Sequence, residues 1–242
     1  MIEVTGLAKH FGAVQAVRHV TFRAPDGAIT GLLGPNGAGK TTTLRMIATL
    51  VVPTQGTARV DAIDCVADPL AVRARIGVLS DARGLYVRLT ARENIRYYGE
   101  LRRMERGAIE AAIDRLAELL DMRELLDRRT DGFSQGERMK VAIARTLIHD
   151  PPNVMLDEPT NGLDVMTTRK LREVIRSLRG SGKCVLFSSH VMQEVSALCD
   201  EIVIVAKGDV VAHGTAEALL AQSGRASLED AFVHLAGEEL PA

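Results

Sequence analysis

The chain has 242 residues, of which 46% are hydrophobic and 25% charged, and its formal net charge is −1. This profile suits one large α/β domain and excludes collagen-like, low-complexity and disulfide-scaffolded chains. Near-neutral charge also argues against a nucleic-acid partner, which draws on a strongly basic face, so none is expected. Cys65, Cys184 and Cys199 are far apart with no C-x-x-C pair, which predicts buried thiols in a reducing compartment. The start, Met1-Ile2-Glu3-Val4, shows neither the basic nor the apolar region of a secretory signal. The apolar run at 202–206 falls far short of the ~20 residues that cross a bilayer, so a membrane span would have to come from another chain.

In chain order, residues 2–7 and 19–24 alternate or run with β-branched residues and predict strands. The apolar run 29–33 leads into a glycine and predicts a buried strand, followed by a helix over 39–50 that Pro53 and the turn 54–56 close. Strands at 58–60 and 76–79 flank a short helix at 70–75. The texture then changes. Residues 91–126 read as helical, with Ile109, Ile113, Leu116, Leu119 and Leu120 on one face and no strand. Alternation resumes with a helix at 137–149, a strand at 153–157 and a helix at 166–178. A strand at 183–188, a helix at 191–198, strands at 201–206 and 209–213 and two closing helices complete the chain. The pattern implies an α/β core interrupted by an all-helical insert.

Gly34, Pro35, Asn36, Gly37, Ala38, Gly39, Lys40 and Thr41 fit G-x-x-x-x-G-K-[ST] without a mismatch, between a strand and a helix. Glycines there let backbone N–H groups turn toward phosphate oxygens, and the helix start adds a positive end. Lys40 would reach the β- and γ-phosphates of ATP, and the Thr41 hydroxyl would ligate Mg²⁺; Thr42 continues this helix end. The strand 153–157 ends in Asp157 and is followed by Glu158. Below a phosphate loop, Asp157 can hold the metal's water shell, and Glu158 can orient or deprotonate the attacking water.

Phe133-Ser134-Gln135-Gly136-Glu137 precedes an amphipathic helix. Ser134 and Glu137 suffice for an S-x-x-E capping box, and an exposed helix start is also an anion site. Asn161-Gly162-Leu163-Asp164 reads as a turn, and Ser188-Ser189-His190 puts a histidine at the carboxyl edge of the sheet, where α/β proteins bind ligands.

The order of these motifs resembles the nucleotide-binding subunit of ABC transporters over essentially the whole chain. The resemblance implies a P-loop NTPase core of the ABC ATPase type with an N-terminal antiparallel β region and an all-helical insert subdomain. It would form one domain over 1–242, with core at 1–80 and 131–242 and insert at about 81–130. Gly34 to Thr41 would be Walker A, residues 154–158 Walker B, Phe133 to Glu137 the signature, residues 161–164 with Asp164 the D-loop, and His190 the switch histidine. Phe11 occupies the place of the aromatic that stacks on adenine. Lys40, Glu158 and His190 would be catalytic. Ser134, Gln135, Gly136 and Glu137 would act in trans, closing over ATP on a second copy in a head-to-tail dimer.

The resemblance further implies an ATPase coupled to transport, held by a separate transmembrane permease at the cytoplasmic face of the cell membrane. The stretch 80–95 and the ending 228–233 are most similar to bacterial ABC-2-type exporters of the sodium-extrusion and drug-export kind. All three tyrosines, Tyr86, Tyr97 and Tyr98, fall at or in the insert, where the family cradles a short helix of the membrane subunit. The alternative is a soluble ABC-type ATPase, such as one of cofactor assembly; a neighbouring gene for about six membrane helices would discriminate. A kinase or GTPase lacks support, since no N-K-x-D stretch occurs.

The chain departs from the family pattern at Asp81 and within the signature, which reads Phe-Ser-Gln-Gly-Glu where Leu-Ser-Gly-Gly-Gln is usual. Asp81 stands where glutamine is usual; it can accept a bond from metal-bound water but adds charge and has a shorter reach. The signature carries Glu137 in place of glutamine, which would mildly oppose an approaching phosphate.

Overall fold

The computed structural model describes residues 1–80 and 84–237 of the chain. Strands β1 (Ile2–Phe11) and β2 (Val14–Ala24) form an antiparallel hairpin, and β4 (Gln55–Val60) joins the free edge of β1. A two-residue strand, β5 (Ile63–Asp64), extends that edge. The parallel strands are β3 (Ile29–Leu33), β6 (Ile76–Leu79), β7 (Asn153–Asp157), β8 (Cys184–Ser189) and β9 (Glu201–Ala206); β10 (Asp209–Gly214) returns antiparallel to β9. Among the described residues these make one sheet in the order β5-β4-β1-β2-β10-β9-β3-β8-β7-β6, joined between β2 and β10 by the pair Asp209 and His19.

Every residue of β3, β7 and β8 is buried, as expected of parallel strands covered on both faces. Side chains alternate between two cores. Ile29, Leu33, Val154, Leu156, Val185 and Phe187 face one, formed with α5 (Gln135–Leu147) and α6 (Val165–Gly180). Leu32, Met155, Cys184 and Leu186 face the other, formed with α1 (Lys40–Ile47) and the antiparallel strands. This parity matters at the carboxyl edge, because it turns Asp157 and Ser188 toward α1.

Helix α2 (Pro69–Arg75) leads into β6, and α3 (Ala91–Leu101) and α4 (Arg106–Leu119) follow. Ile109, Ile113, Leu116 and Leu120 are buried as their spacing predicts, whereas Leu119 is partly exposed. Thr90 and Glu93 cap α3 reciprocally, and Arg92 and Arg96 both pair with Glu110 across to α4. Gly99 is the close-approach point of these two helices: a Cβ there would lie 2.8 Å from Ile109. Helices α7 (Met192–Leu198), α8 (Ala216–Ser223) and α9 (Leu228–Ala236) finish the described chain. No helix among the described residues is long and apolar enough to cross a membrane.

Cys65 and Cys184 are buried, and burial pushes both thiols up to about 12. Cys199 is only partly buried, a correction to the expectation for all three cysteines. The helix expected at 137–149 starts two residues earlier, because Ser134 caps it and Gln135 is its first residue. The strand expected from residue 183 starts at Cys184 and runs on to Ser189.

Candidate active site

Phosphate-loop geometry follows from what surrounds its glycines. A Cβ on Gly34 would lie 2.3 Å from the Val205 carbonyl oxygen, and one on Gly39 would lie 2.6 Å from that of Ala16. Gly39 also has φ +103, a left-handed conformation open to glycine, and it caps α1 without any side-chain bond. The first turn of α1 therefore presents its amides and the positive helix end at the loop. Lys40 is only 5% exposed, and its Nζ donates to the carbonyls of Gly34 (2.7 Å) and Pro35 (3.1 Å).

The carboxylates arrive from β7. Asp157 Oδ1 accepts from Thr41 Oγ1 at 3.2 Å and from Ser188 Oγ at 2.6 Å. Glu158 adopts φ +45, one of eight non-glycine residues with positive φ among the described residues, a conformation that costs about 1–3 kcal/mol. Its two oxygens face two different partners: Oε1 lies 3.3 Å from Lys40 Nζ, and Oε2 lies 2.9 Å from His190 Nδ1. Glu158 thus bridges the loop lysine and the histidine beyond β8. Asn36, Gly37, Lys40, Thr41, Glu158 and His190 line one cleft of about 430 Å³.

The donor set suits Mg²⁺. Thr41 and Asp157 offer two hard oxygens side by side, and no group of three or more His, Cys, Asp or Glu among the described residues could hold a metal by itself. Mg²⁺ dehydrates reluctantly and is typically held by one or two protein oxygens together with substrate phosphates and water.

Other expected site residues lie elsewhere. Ser134, Gly136 and Glu137 do not line this cleft. Ser134 Oγ accepts from the Glu137 amide and Glu137 Oε2 accepts from the Ser134 amide, a complete capping box. Gln135 Nε2 donates to the Asn161 carbonyl at 3.1 Å, so the start of α5 touches the loop that follows Glu158. Asp164 caps α6, accepting from the amides of Met166 and Thr167 and from Thr167 Oγ1. Phe11 ends β1 half exposed, with Lys9 Nζ 5.1 Å over its ring, and it is outside the cleft lining. Its register partner Val14, with Gln15 and Ala16 of β2, lines the cleft. Asp81 lies outside the described residues.

Arg128 escaped the sequence reading. Its Nη1 lies 3.0 Å from Glu137 Oε1, and its guanidinium lies 5.2 Å over the Phe133 ring. The Ser134 amide is the main cause holding the Glu137 carboxyl below its usual range, and Arg128 adds to it. Arg128 therefore offsets the negative charge of Glu137. On the in-trans role that the resemblance implies for this helix start, Glu137→Gln should tighten ATP-driven self-association about threefold by leaving Arg128 free for phosphate, whereas Arg128→Ala should weaken it by a similar factor. Sedimentation velocity across an ATP titration measures both; unchanged or weaker association of Glu137→Gln would overturn the charge argument.

The ABC transporter family model matches residues 17–161, more than half of the chain. The chain belongs to the ABC transporter ATP-binding family. It is 47% identical over 224 residues to the ABC transporter ATP-binding protein NatA of Bacillus subtilis (strain 168), a match spanning 90% of this chain and 91% of that one. It is 36% identical over 219 residues to the Nod factor export ATP-binding protein I of Rhizobium johnstonii, spanning 90% and 70%. Among solved structures, a dimeric bacterial ABC transporter cassette superposes with a TM-score of 0.79 at 28% identity, over 89% of this chain and 98% of that one. The same cassette has been solved in a post-hydrolysis state bound to ADP and Pi, at 26% identity. Membership makes this ABC chain an ATP-binding, ATP-hydrolysing motor subunit of a membrane transporter, on the P-loop fold expected from its motif order.

Proposed function

We propose that two copies of this chain close head to tail on ATP at the cytoplasmic face of the membrane and drive export through a separate permease. The observation that carries the dimer is the division of the motifs. Lys40, Thr41, Glu158 and His190 share one cleft, while Ser134 and Gly136 stand outside it at the capped start of α5. A second copy supplies that helix start across the γ-phosphate, adding amide donors where charge develops. Lys40 would hold the β- and γ-phosphates, Thr41 and Asp157 would hold Mg²⁺ with its waters, Glu158 would take the proton of the attacking water, and His190 would orient Glu158. Bound Mg²⁺ would neutralise charge on the phosphate oxygens.

Export, of a sodium-ion or drug-like cargo, is supported by the stretches 80–95 and 228–233 and by a relative named for Nod factor export. The permease contact is read at the tyrosines. Tyr86 and Tyr97 are partly exposed, stacked edge to face at 5.3 Å, and Tyr98 packs behind them under Arg145 at 4.4 Å. Exposed aromatic clusters of this kind suit a protein contact. A photocrosslinking residue at position 86 or 97 is expected to capture a polytopic membrane protein in native membranes. Failure at both positions would remove the docking surface.

A further inference from the structure

Resting on the metal and base roles just proposed for Asp157 and Glu158, we infer that Ser188 is a positioning residue that sets both carboxylates through one hydroxyl. β7 and β8 run parallel with Asp157 opposite Ser188, and their shared parity turns both side chains toward α1. Ser188 Oγ donates to Asp157 Oδ1 at 2.6 Å, the shorter of the two bonds to that oxygen. The same Oγ accepts from the Glu158 backbone N–H at 3.0 Å. A single buried oxygen thus fixes the rotamer of the metal-side carboxylate and pins the backbone of the next residue.

The second bond matters because Glu158 stands at φ +45. A strained non-glycine backbone persists only where its surroundings over-determine it, and here the backbone decides where Oε1 and Oε2 point. Ser188 is fully buried, so it acts on the reaction through its neighbours. The next residue does different work. Ser189 Oγ donates to Glu194 Oε2 and accepts from the Val191 amide, which shapes the turn into α7. An apolar side chain at 188 would keep the strand buried and lose both of the Ser188 bonds; partners behind metal ligands commonly change metal affinity or activity by about 10–100-fold.

The test uses the full chain with ATP and Mn²⁺ as the metal probe, read by electron paramagnetic resonance. Ser188→Ala is expected to weaken Mn²⁺ affinity of the ATP complex and to lower kcat, each about tenfold. ATP affinity measured in EDTA should stay within twofold. Ser188→Thr, which keeps the hydroxyl on a β-branched frame suited to a strand, should restore both quantities. If Ser188→Ala matches the parent in Mn²⁺ affinity and kcat, the inference is overturned. It is also overturned if the loss is confined to melting temperature, since that marks a serine needed only for packing. Should Ser188→Ala fold poorly, the isosteric Ser188→Cys, a weaker donor, is expected to show intermediate Mn²⁺ affinity; parent-like affinity would overturn the inference. Asp157→Asn separates the underlying reading: unchanged Mn²⁺ affinity there removes the metal role itself, whereas a loss in Asp157→Asn without one in Ser188→Ala removes only the role of Ser188.

Discussion

Glu158→Gln is expected to lower ATP turnover by roughly 10²–10³-fold while ATP binding stays near the parent value, a loss in the range for removal of a general base. The substitution keeps the size of the side chain and can still bond His190, so the 2.9 Å contact to Nδ1 survives in the correct amide orientation. What disappears is the anionic oxygen 3.3 Å from Lys40 Nζ and the ability to accept a proton from water. Binding groups are untouched, because the loop amides and Lys40 remain. With hydrolysis blocked, ATP should stay in place and a closed dimer should accumulate. Steady-state phosphate release and a sizing column run with and without ATP measure the two effects. Turnover within tenfold of the parent would remove Glu158 as base, and an ATP-indifferent monomer would remove the closing dimer.

The parts of this cleft that the sequence reveals are those built by local rules. Strands β3, β6, β7 and β9 have the bounds that their apolar runs imply, and the loop between β3 and α1 follows from its glycine spacing. The hairpin β1–β2 is longer than its apolar pattern suggested, because it twists out to an exposed tip where alternation gives way to Lys9, His10 and Gln15. β5 is two residues long and leaves no periodic trace.

Groups brought in from afar were hidden for a different reason. Ala16 lines the cleft, and its backbone carbonyl packs against Gly39, which no side-chain motif records. Phe11 pairs with Val14, which lines the cleft, so the aromatic sits at the hairpin tip beside it with Lys9 over one face. Ser134 and Glu137 illustrate an ambiguity intrinsic to helix starts. The capping box and the anion site use the same two residues, and the sequence cannot separate them. Arg128 had a weaker signal still, as one of several arginines, and acquires meaning only from its distance to Glu137.

Lys40→Met should reduce ATP affinity by about 10²–10³-fold and abolish ATP-dependent self-association. The ammonium is already desolvated and aimed: it is 5% exposed and fixed by two loop carbonyls on one side and Glu158 on the other. At an effective dielectric of ~20, one unit charge about 4 Å from another contributes on the order of 4 kcal/mol, enough to account for that loss. Methionine matches the length of the stem, so packing under the loop is retained, and what is lost is the ammonium with its bonds to Gly34 and Pro35 and its pairing with Glu158. Arginine is not a safe substitute, because its planar fork cannot converge on Gly34 and Pro35 from one point as an ammonium does. Titration with a fluorescent ATP analogue, with melting temperature as a control on folding, measures the change. An affinity within threefold of the parent would mean that the backbone amides of the loop carry the phosphates without the lysine. The placement of Lys40 against Glu158 would then serve to hold the base rather than the nucleotide.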